Sequence, residues 1–156
     1  MRVEIKSFSA LSLEELYALL QARSEIFVVE QQCIYLDLDG KDSKALHVLG
    51  WKGSELCAYC RVFGPGDYFE EASIGRVAVP TKFRGRGHGA RLMEFTIKAI
   101  RQEMGPCPIA ISAQAYLQGF YEELGFKPEG ELYKEDGIPH LRMVFTPDQN
   151  FPPPKS

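Results

Sequence analysis

Ala78-Val79-Pro80-Thr81-Lys82-Phe83-Arg84-Gly85-Arg86-Gly87-His88-Gly89-Ala90 places a glycine-rich, basic loop between an apolar segment and an amphipathic one. Upstream, residues 72–79 read as a strand closed by Pro80, whose missing N–H cannot continue a ladder. Downstream, Leu92, Phe95, Thr96, Ala99 and Ile100 recur at three- and four-residue steps, the period of a helix that must stop before Gly105-Pro106. A strand, a glycine loop and a helix in that order make an anion site. Glycines let the backbone approach, successive amides turn inward, and the helix start presents unpaired donors at its positive dipole end. Arg84 and Arg86 add guanidinium charge that suits a pyrophosphate in sign and shape.

Three kinds of phosphate loop share this layout. A Walker loop needs Lys and then Ser or Thr after its last glycine, and Ala90-Arg91 after Gly89 does not supply them. The dinucleotide fingerprint is met in letters by Gly85, Gly87 and Ala90. It should begin at the strand end, however, and here Pro80, Thr81, Lys82, Phe83 and Arg84 intervene. No acidic residue near Ala113 ends the next strand to hold a ribose, and too little chain remains for the second half of that fold. The third pattern, Arg84-x-x-Gly87-x-Gly89, resembles the acyl-CoA loop of the GNAT acetyltransferase superfamily, Arg or Gln-x-x-Gly-x-Gly or Ala, and matches it in full. Phe120-Tyr121-Glu122-Glu123-Leu124-Gly125-Phe126 follows at the distance expected and is also similar to GNAT sequence. A closer resemblance, to the ElaA-like branch, rests on four more stretches: Phe27-Val28-Val29-Glu30-Gln31, Asp37-Leu38-Asp39-Gly40-Lys41-Asp42, Ser112-Ala113-Gln114-Ala115 and Glu135-Asp136-Gly137-Ile138-Pro139-His140.

The rest of the chain is compatible with that order of elements. Residues 2–8 alternate as a half-buried strand. Ser12 and Glu15 form a capping-box signature ahead of an amphipathic helix to about Phe27, and a long loop is expected over 28–43. Residues 46–51 and 56–63 read as a hairpin, 109–113 as a short buried strand and 115–124 as a short helix stopped by Gly125. Strands are expected at about 127–133 and 140–145, with a polar turn between them. The resemblance implies an α/β GNAT (acyl-CoA N-acyltransferase) fold: a mixed, mostly antiparallel central sheet of about six to seven strands, flanked by helices and splayed in the middle. One domain is expected over 1–146, followed by a Pro-rich tail over 147–156.

The activity implied by the resemblance is transfer of an acetyl group from acetyl-CoA to a primary amine by direct attack in a ternary complex. It gives Val77 and Val79 amide contacts to the pantetheine and the acetyl carbonyl, where a backbone donor would stabilise the oxyanion. It gives Arg84, Gly85, Arg86, Gly87, His88, Gly89 and Ala90 the pyrophosphate, and adds Ala78, Gln114 and Tyr121 to the cofactor contacts. Tyr121 also matches the tyrosine that returns a proton to the departing thiolate. The strand 72–79 offers no carboxylate as a base, which leaves Glu30, His47 and His140 as candidates. Family analogy also suggests a homodimer.

Composition narrows the alternatives. With 156 residues, a net charge of −3 and a pI near 5.7, the chain is no general binder of nucleic acid or anionic lipid. Lys82, Arg84, Arg86, His88 and Arg91 could form a small nucleic-acid patch, yet only Phe83 is interleaved as an aromatic. A GNAT fold acting as an acyl-CoA sensor, or using another acyl donor, is the nearer alternative. The first residues alternate apolar and charged and no apolar run reaches about 20 residues, so neither a secretory signal nor a membrane span is expected and the reading is cytoplasmic. Cys57 and Cys60 have metal-like spacing, but on a strand a step of three sends them to opposite faces, so no metal is expected. Asp37, Asp39 and Asp42 lack the glutamate of a calcium loop and are expected to attract a cationic acceptor.

Overall fold

The computed structural model describes residues 1–147, so the expected tail lies outside the described residues except for Pro147. Strand β1 (Arg2–Ser7) leads to helix α1 (Leu13–Arg23). The capping box forms: Glu15 N–H donates to Ser12 Oγ at 3.0 Å, and Ser12 N–H donates to Glu15 Oε1 at 2.8 Å. The helical path does not stop near Phe27. It widens into a π-helical segment, Ser24–Glu30, and ends at Gln32, whose positive φ breaks the repeat. The loop therefore starts later than the periodicity suggests.

Strands β2 (Leu46–Lys52) and β3 (Glu55–Phe63) form the expected hairpin, followed by β4 (Ala72–Ala78) and helix α2 (His88–Met104). Strand β5 (Ile109–Gln114) runs into a 3-10 turn and then helix α3 (Gln118–Glu123), two pieces where one helix was expected. The strand expected over 127–133 is broken into β6 (Lys127–Pro128) and β7 (Tyr133–Glu135). Between them Glu129 N–H still reaches the Arg142 carbonyl at 2.9 Å, but Gly130, with φ of 85°, turns the chain out of the ladder. Strand β8 (Ile138–Phe145) completes the sheet.

Among the described residues the strand order is β1-β2-β3-β4-β5-β8-β6, with β7 also on β8, so the eight strands slightly exceed the six to seven expected. Every pairing is antiparallel except β4 with β5. That parallel pair is bonded only at Ala72↔Ile109 and Ser73↔Ala110, after which the strands part. The cause lies in β4. Arg76 sits in the left-handed region at φ 51°, and the register with β3 shifts across Tyr59/Arg61, so β4 bends away while β5 stays in register with β8. A non-glycine residue there costs about 1–3 kcal/mol and needs outside support.

Helices α2 and α3 cover one face of the sheet, where Leu92, Met93, Ile100, Tyr121 and Phe126 pack on Cys60, Ile74, Ile111 and Met143. Helix α1 covers the other, with Leu19 and Ala22 against Leu49, Trp51 and Tyr59. Each fully buried aliphatic side chain contributes about 1.5–3 kcal/mol, and the two packed faces hold the sheet rigid around its central opening. All four cysteines are free thiols. No helix among the described residues is long and apolar enough to cross a membrane.

Candidate active site

The parting of β4 and β5 opens a cleft of about 900 Å³. Ile111, Val77, Val79 and Gly75 line its walls, the loop before α2 lines one end, and the β7–β8 hairpin lines another. Its two sides are chemically different. Strand β8 commits Leu141 and Met143 to the α2–α3 core, so by alternation His140 faces the α1 side. Tyr121 belongs to the α2–α3 core. Both residues line the cleft, which therefore connects the two faces of the sheet.

The start of α2 contrasts with that of α1. Its N-cap is Gly87, at φ 79°, and no side chain caps it. Arg91 N–H donates to the Gly87 carbonyl at 3.1 Å, so the amides of His88, Gly89 and Ala90 precede the helical ladder. Gly85, Gly87, His88, Gly89 and Ala90 all line the cleft. A helix of 17 residues thus directs an uncapped, positive end into a cavity, which suits an anion. A Cβ at Gly85 would meet nothing within 4 Å, leaving the approach to the backbone open.

The predicted side chains divide. Arg84 lines the cleft, donates to the Val79 carbonyl at 2.8 Å and grips Glu30 through two bonds of 2.7 and 2.9 Å. The hydrogen bond from Arg84 holds the Glu30 carboxyl below its ordinary range, so Glu30 is an ion-pair partner and a poor proton acceptor. Arg86 and Ala78 do not line the cleft; Arg86 offers its carbonyl to Arg91 at 3.0 Å, and Ala78 is buried opposite Tyr59. Lys82 pairs with Glu55 at 2.6 Å, so two cations of the basic stretch already have carboxylates. His88 is buried, its ring nitrogens have no partner among the described residues, and burial pushes its pKa down. Gln114 lines the cleft and accepts from Gln31 Nε2 at 3.2 Å.

His47 is not in the cleft. Its Nε2 donates to the Asp42 carbonyl at 2.9 Å, so its Nδ1 is left to accept from the Tyr59 hydroxyl at 2.7 Å. Both nitrogens are used in a fully buried position, and burial pushes the pKa down. His47 is a core residue and has no free nitrogen to act as a base. His140 is different. Its Nδ1 lies 2.7 Å from the Ile138 carbonyl and must carry the proton, which leaves the lone pair on Nε2 at the cleft.

The acidic loop does not draw in a cation as expected, because its carboxylates are already paired. Arg23 donates through Nε to Asp37 at 2.8 Å and through Nη1 to Asp42 at 2.7 Å. Arg61 donates to Asp42 at 3.0 Å and Asp39 at 2.9 Å, and Arg76 Nε lies 2.8 Å from Asp37. Three arginines cancel three aspartates, so no unbalanced negative charge remains to draw in a cation. The lattice instead supports the strained Arg76 and hence the opening. Burial alone would raise the Asp39 and Asp42 pKa values, but the guanidinium hydrogen bonds outweigh it and hold both below the usual range.

Sequence reasoning missed Glu135, Ser112, Phe120 and Arg76 as cleft residues. The signal for Glu135 was the Asp136-Gly137 pair. At φ 52° and 77° these form the two-residue reversal that twisted hairpins favour, which fixes Glu135 opposite Ile138 and Tyr133 opposite His140. Among the described residues no group of three or more His, Cys, Asp or Glu is placed to hold a metal.

Comparison with known proteins agrees with this geometry. The Acetyltransferase (GNAT) domain family matches residues 14–147. Protein ElaA of Escherichia coli K12 is 47% identical over 138 residues, covering 87% of this chain and 90% of ElaA. The crystal structure of E. coli ElaA superposes with a TM-score of 0.85 and 41% identity in the structural alignment, over 93% of this chain and 99% of the other. An acyl-CoA N-acyltransferase from Pseudomonas aeruginosa superposes at 0.88 with 40% identity, over 93% and 99%. A glycine loop that matches the GNAT pattern, a sheet parted beside it and this degree of identity have one common explanation: the chain belongs to the GNAT acetyltransferase family and is ElaA-like.

Proposed function

We propose that this protein is an N-acetyltransferase that moves an acetyl group from acetyl-CoA to a primary amine by direct attack in a ternary complex. The observation that supports this most is the uncapped start of α2 opening on a cleft that runs through the sheet. The amides of His88, Gly89 and Ala90 and the Arg84 guanidinium would hold the pyrophosphate. Val77 and Val79 would align the pantetheine, and the acceptor would enter from the α1 side. Acetyl-CoA supplies an activated thioester, and the chain's residues orient it, exclude water and move protons. Tyr121 donates the proton that the departing sulfur needs. His140, through Nε2, removes the proton that the amine nitrogen loses.

Thermal shift tests donor binding. Acetyl-CoA at 100 times its Kd should stabilise the protein by about 2.7 kcal/mol, and NAD should not. A panel of amines assayed for CoA release then tests transfer. No stabilisation by saturating acetyl-CoA would overturn the proposal.

The Arg84–Glu30 pair leads to a second expectation. A donor pyrophosphate must compete with Glu30 for Arg84. The pair is solvent-exposed, so it is worth only about 0.2–1 kcal/mol. Glu30→Gln should therefore tighten acetyl-CoA binding about two- to fivefold, measured by calorimetry. Weaker binding would show that Glu30 helps to hold the loop instead.

A further inference from the structure

Five polar side chains from three strands meet on the α1 face of β5, β8 and β7. Ser112 and Gln114 alternate on β5, and Gln114 lies opposite His140 on β8. Tyr133 lies opposite His140 on its other flank, and Glu135, two residues along β7, shares that face. Glu135 Oε2 accepts from Ser112 Oγ at 3.2 Å and lies 3.4 Å from His140 Nε2. Ser112 Oγ is also hydrogen-bonded to the Tyr133 hydroxyl, and the Tyr133 ring stacks on His140 with centroids 6.1 Å apart. Gln31 reaches in through Gln114, and Cys33 Sγ donates to the Asp136 carbonyl at 3.2 Å, tying the hairpin to the segment after α1.

We infer that Glu135, held by Ser112 and Tyr133, is a positioning residue that makes His140 the proton acceptor of the transfer reaction. This rests on the proposed function. The Ile138 carbonyl fixes the tautomer, and Glu135 supplies the negative charge that His140 needs once it becomes an imidazolium. At 3.4 Å the carboxylate is near enough to stabilise that cation, yet too far to occupy Nε2 with a short hydrogen bond. The balance is simple. The amine nitrogen forms a bond to the acetyl carbon as the carbon–sulfur bond breaks, Nε2 takes one proton from that nitrogen, and Tyr121 gives one to sulfur. The ionisable groups nearest His140 are Glu135 and Tyr133 on β7 and, two residues along β8 on the same face, Arg142, whose charge is matched by Glu71 and Glu129; β5 contributes the neutral Ser112 and Gln114.

Glu135→Gln is the informative variant, because glutamine keeps the shape and still accepts from Ser112. A purely structural role predicts an unchanged kcat. The inference predicts that kcat near pH 7 falls about tenfold with KM for the amine within twofold, and that Glu135→Asp recovers part of the loss. The deficit should shrink toward pH 10, where an alkyl amine increasingly loses its own proton, near a pKa of about 10.4. A kcat within twofold of wild type, or a deficit independent of pH, would overturn it. Carbethoxylation of His140 by diethyl pyrocarbonate, followed by mass spectrometry, gives a readout without an acceptor. At about pH 9, where an imidazole is neutral with or without a neighbouring carboxylate, the reaction should slow about two- to threefold in Glu135→Gln, and equal rates would also overturn the pairing. If no amine is acetylated while that reactivity falls, the proposed function fails and the pairing stands.

Discussion

Replacing Tyr121 by phenylalanine should lower kcat about 100-fold while leaving the Kd for acetyl-CoA within twofold. The phenol lines the cleft from α3, is 6% exposed and is held edge-on by Phe120 and Phe126 at 5.1 and 6.0 Å. Burial raises its pKa above the usual value, so it stays protonated at any working pH and can serve only as a donor. A high pKa would make it a weak acid toward a thiolate in water. In the proposed reaction, however, the departing thiolate would form within the same apolar walls and be made more basic by the same desolvation, so the two would rise together. Positioned proton transfer is worth about 10²–10⁴-fold, and the low end is expected where water can substitute in part. The hydroxyl makes no hydrogen bond among the described residues, so its removal should leave the unfolding temperature within about 1 °C. Stopped assays of CoA release across pH 6–10, beside a calorimetric melt, check both halves. A kcat within threefold of wild type would assign Tyr121 to packing alone.

Arg23→Met should destabilise the protein by about 3 kcal/mol, the largest stability effect expected for any single polar residue here. Arg23 is fully buried and donates to both Asp37 and Asp42. Removing it leaves two buried carboxylates short of positive charge, and that penalty rather than the net worth of the pair sets the cost. For a chain of this length the melting temperature should fall by about 6–12 °C. A second consequence follows from charge linkage. Asp39 and Asp42 are held below the ordinary carboxylate range, so their contribution is present above about pH 4 and is lost as pH falls below it. His47 is kept neutral by burial, so its contribution is present above about pH 6.5 and declines below that. Urea unfolding at pH 7.5, 5.5 and 4 should therefore show a monotonic loss, and equal stability at all three would refute the role given to this lattice. Because it also carries Arg76, the Arg23 variant should lose activity beyond its loss of folded protein.

The Arg84–Gly89 loop, the capping box of α1 and the hairpin of β2 and β3 were legible because each is local. Periodicity, capping and glycine placement act within a few residues, and the chain carries them wherever it folds. The lattice of Arg23, Arg61 and Arg76 was not legible. The sequence showed Asp37, Asp39 and Asp42 as a charge run, and only packing revealed that arginines from α1, β3 and β4 cancel it. His47 and His140 look alike as letters. One has both ring nitrogens satisfied in the core and the other presents a lone pair to the cleft, a difference set by partners 5 and 12 residues away in one case and by a strand register in the other. By itself the sequence determined the family, the order of elements and the glycine loop that opens α2, since these depend on local backbone preference. Which faces meet, which charges are spent and which of three candidate bases reaches the cleft depended on the tertiary structure, because electrostatics and proton transfer act over a few ångströms of space regardless of distance along the chain.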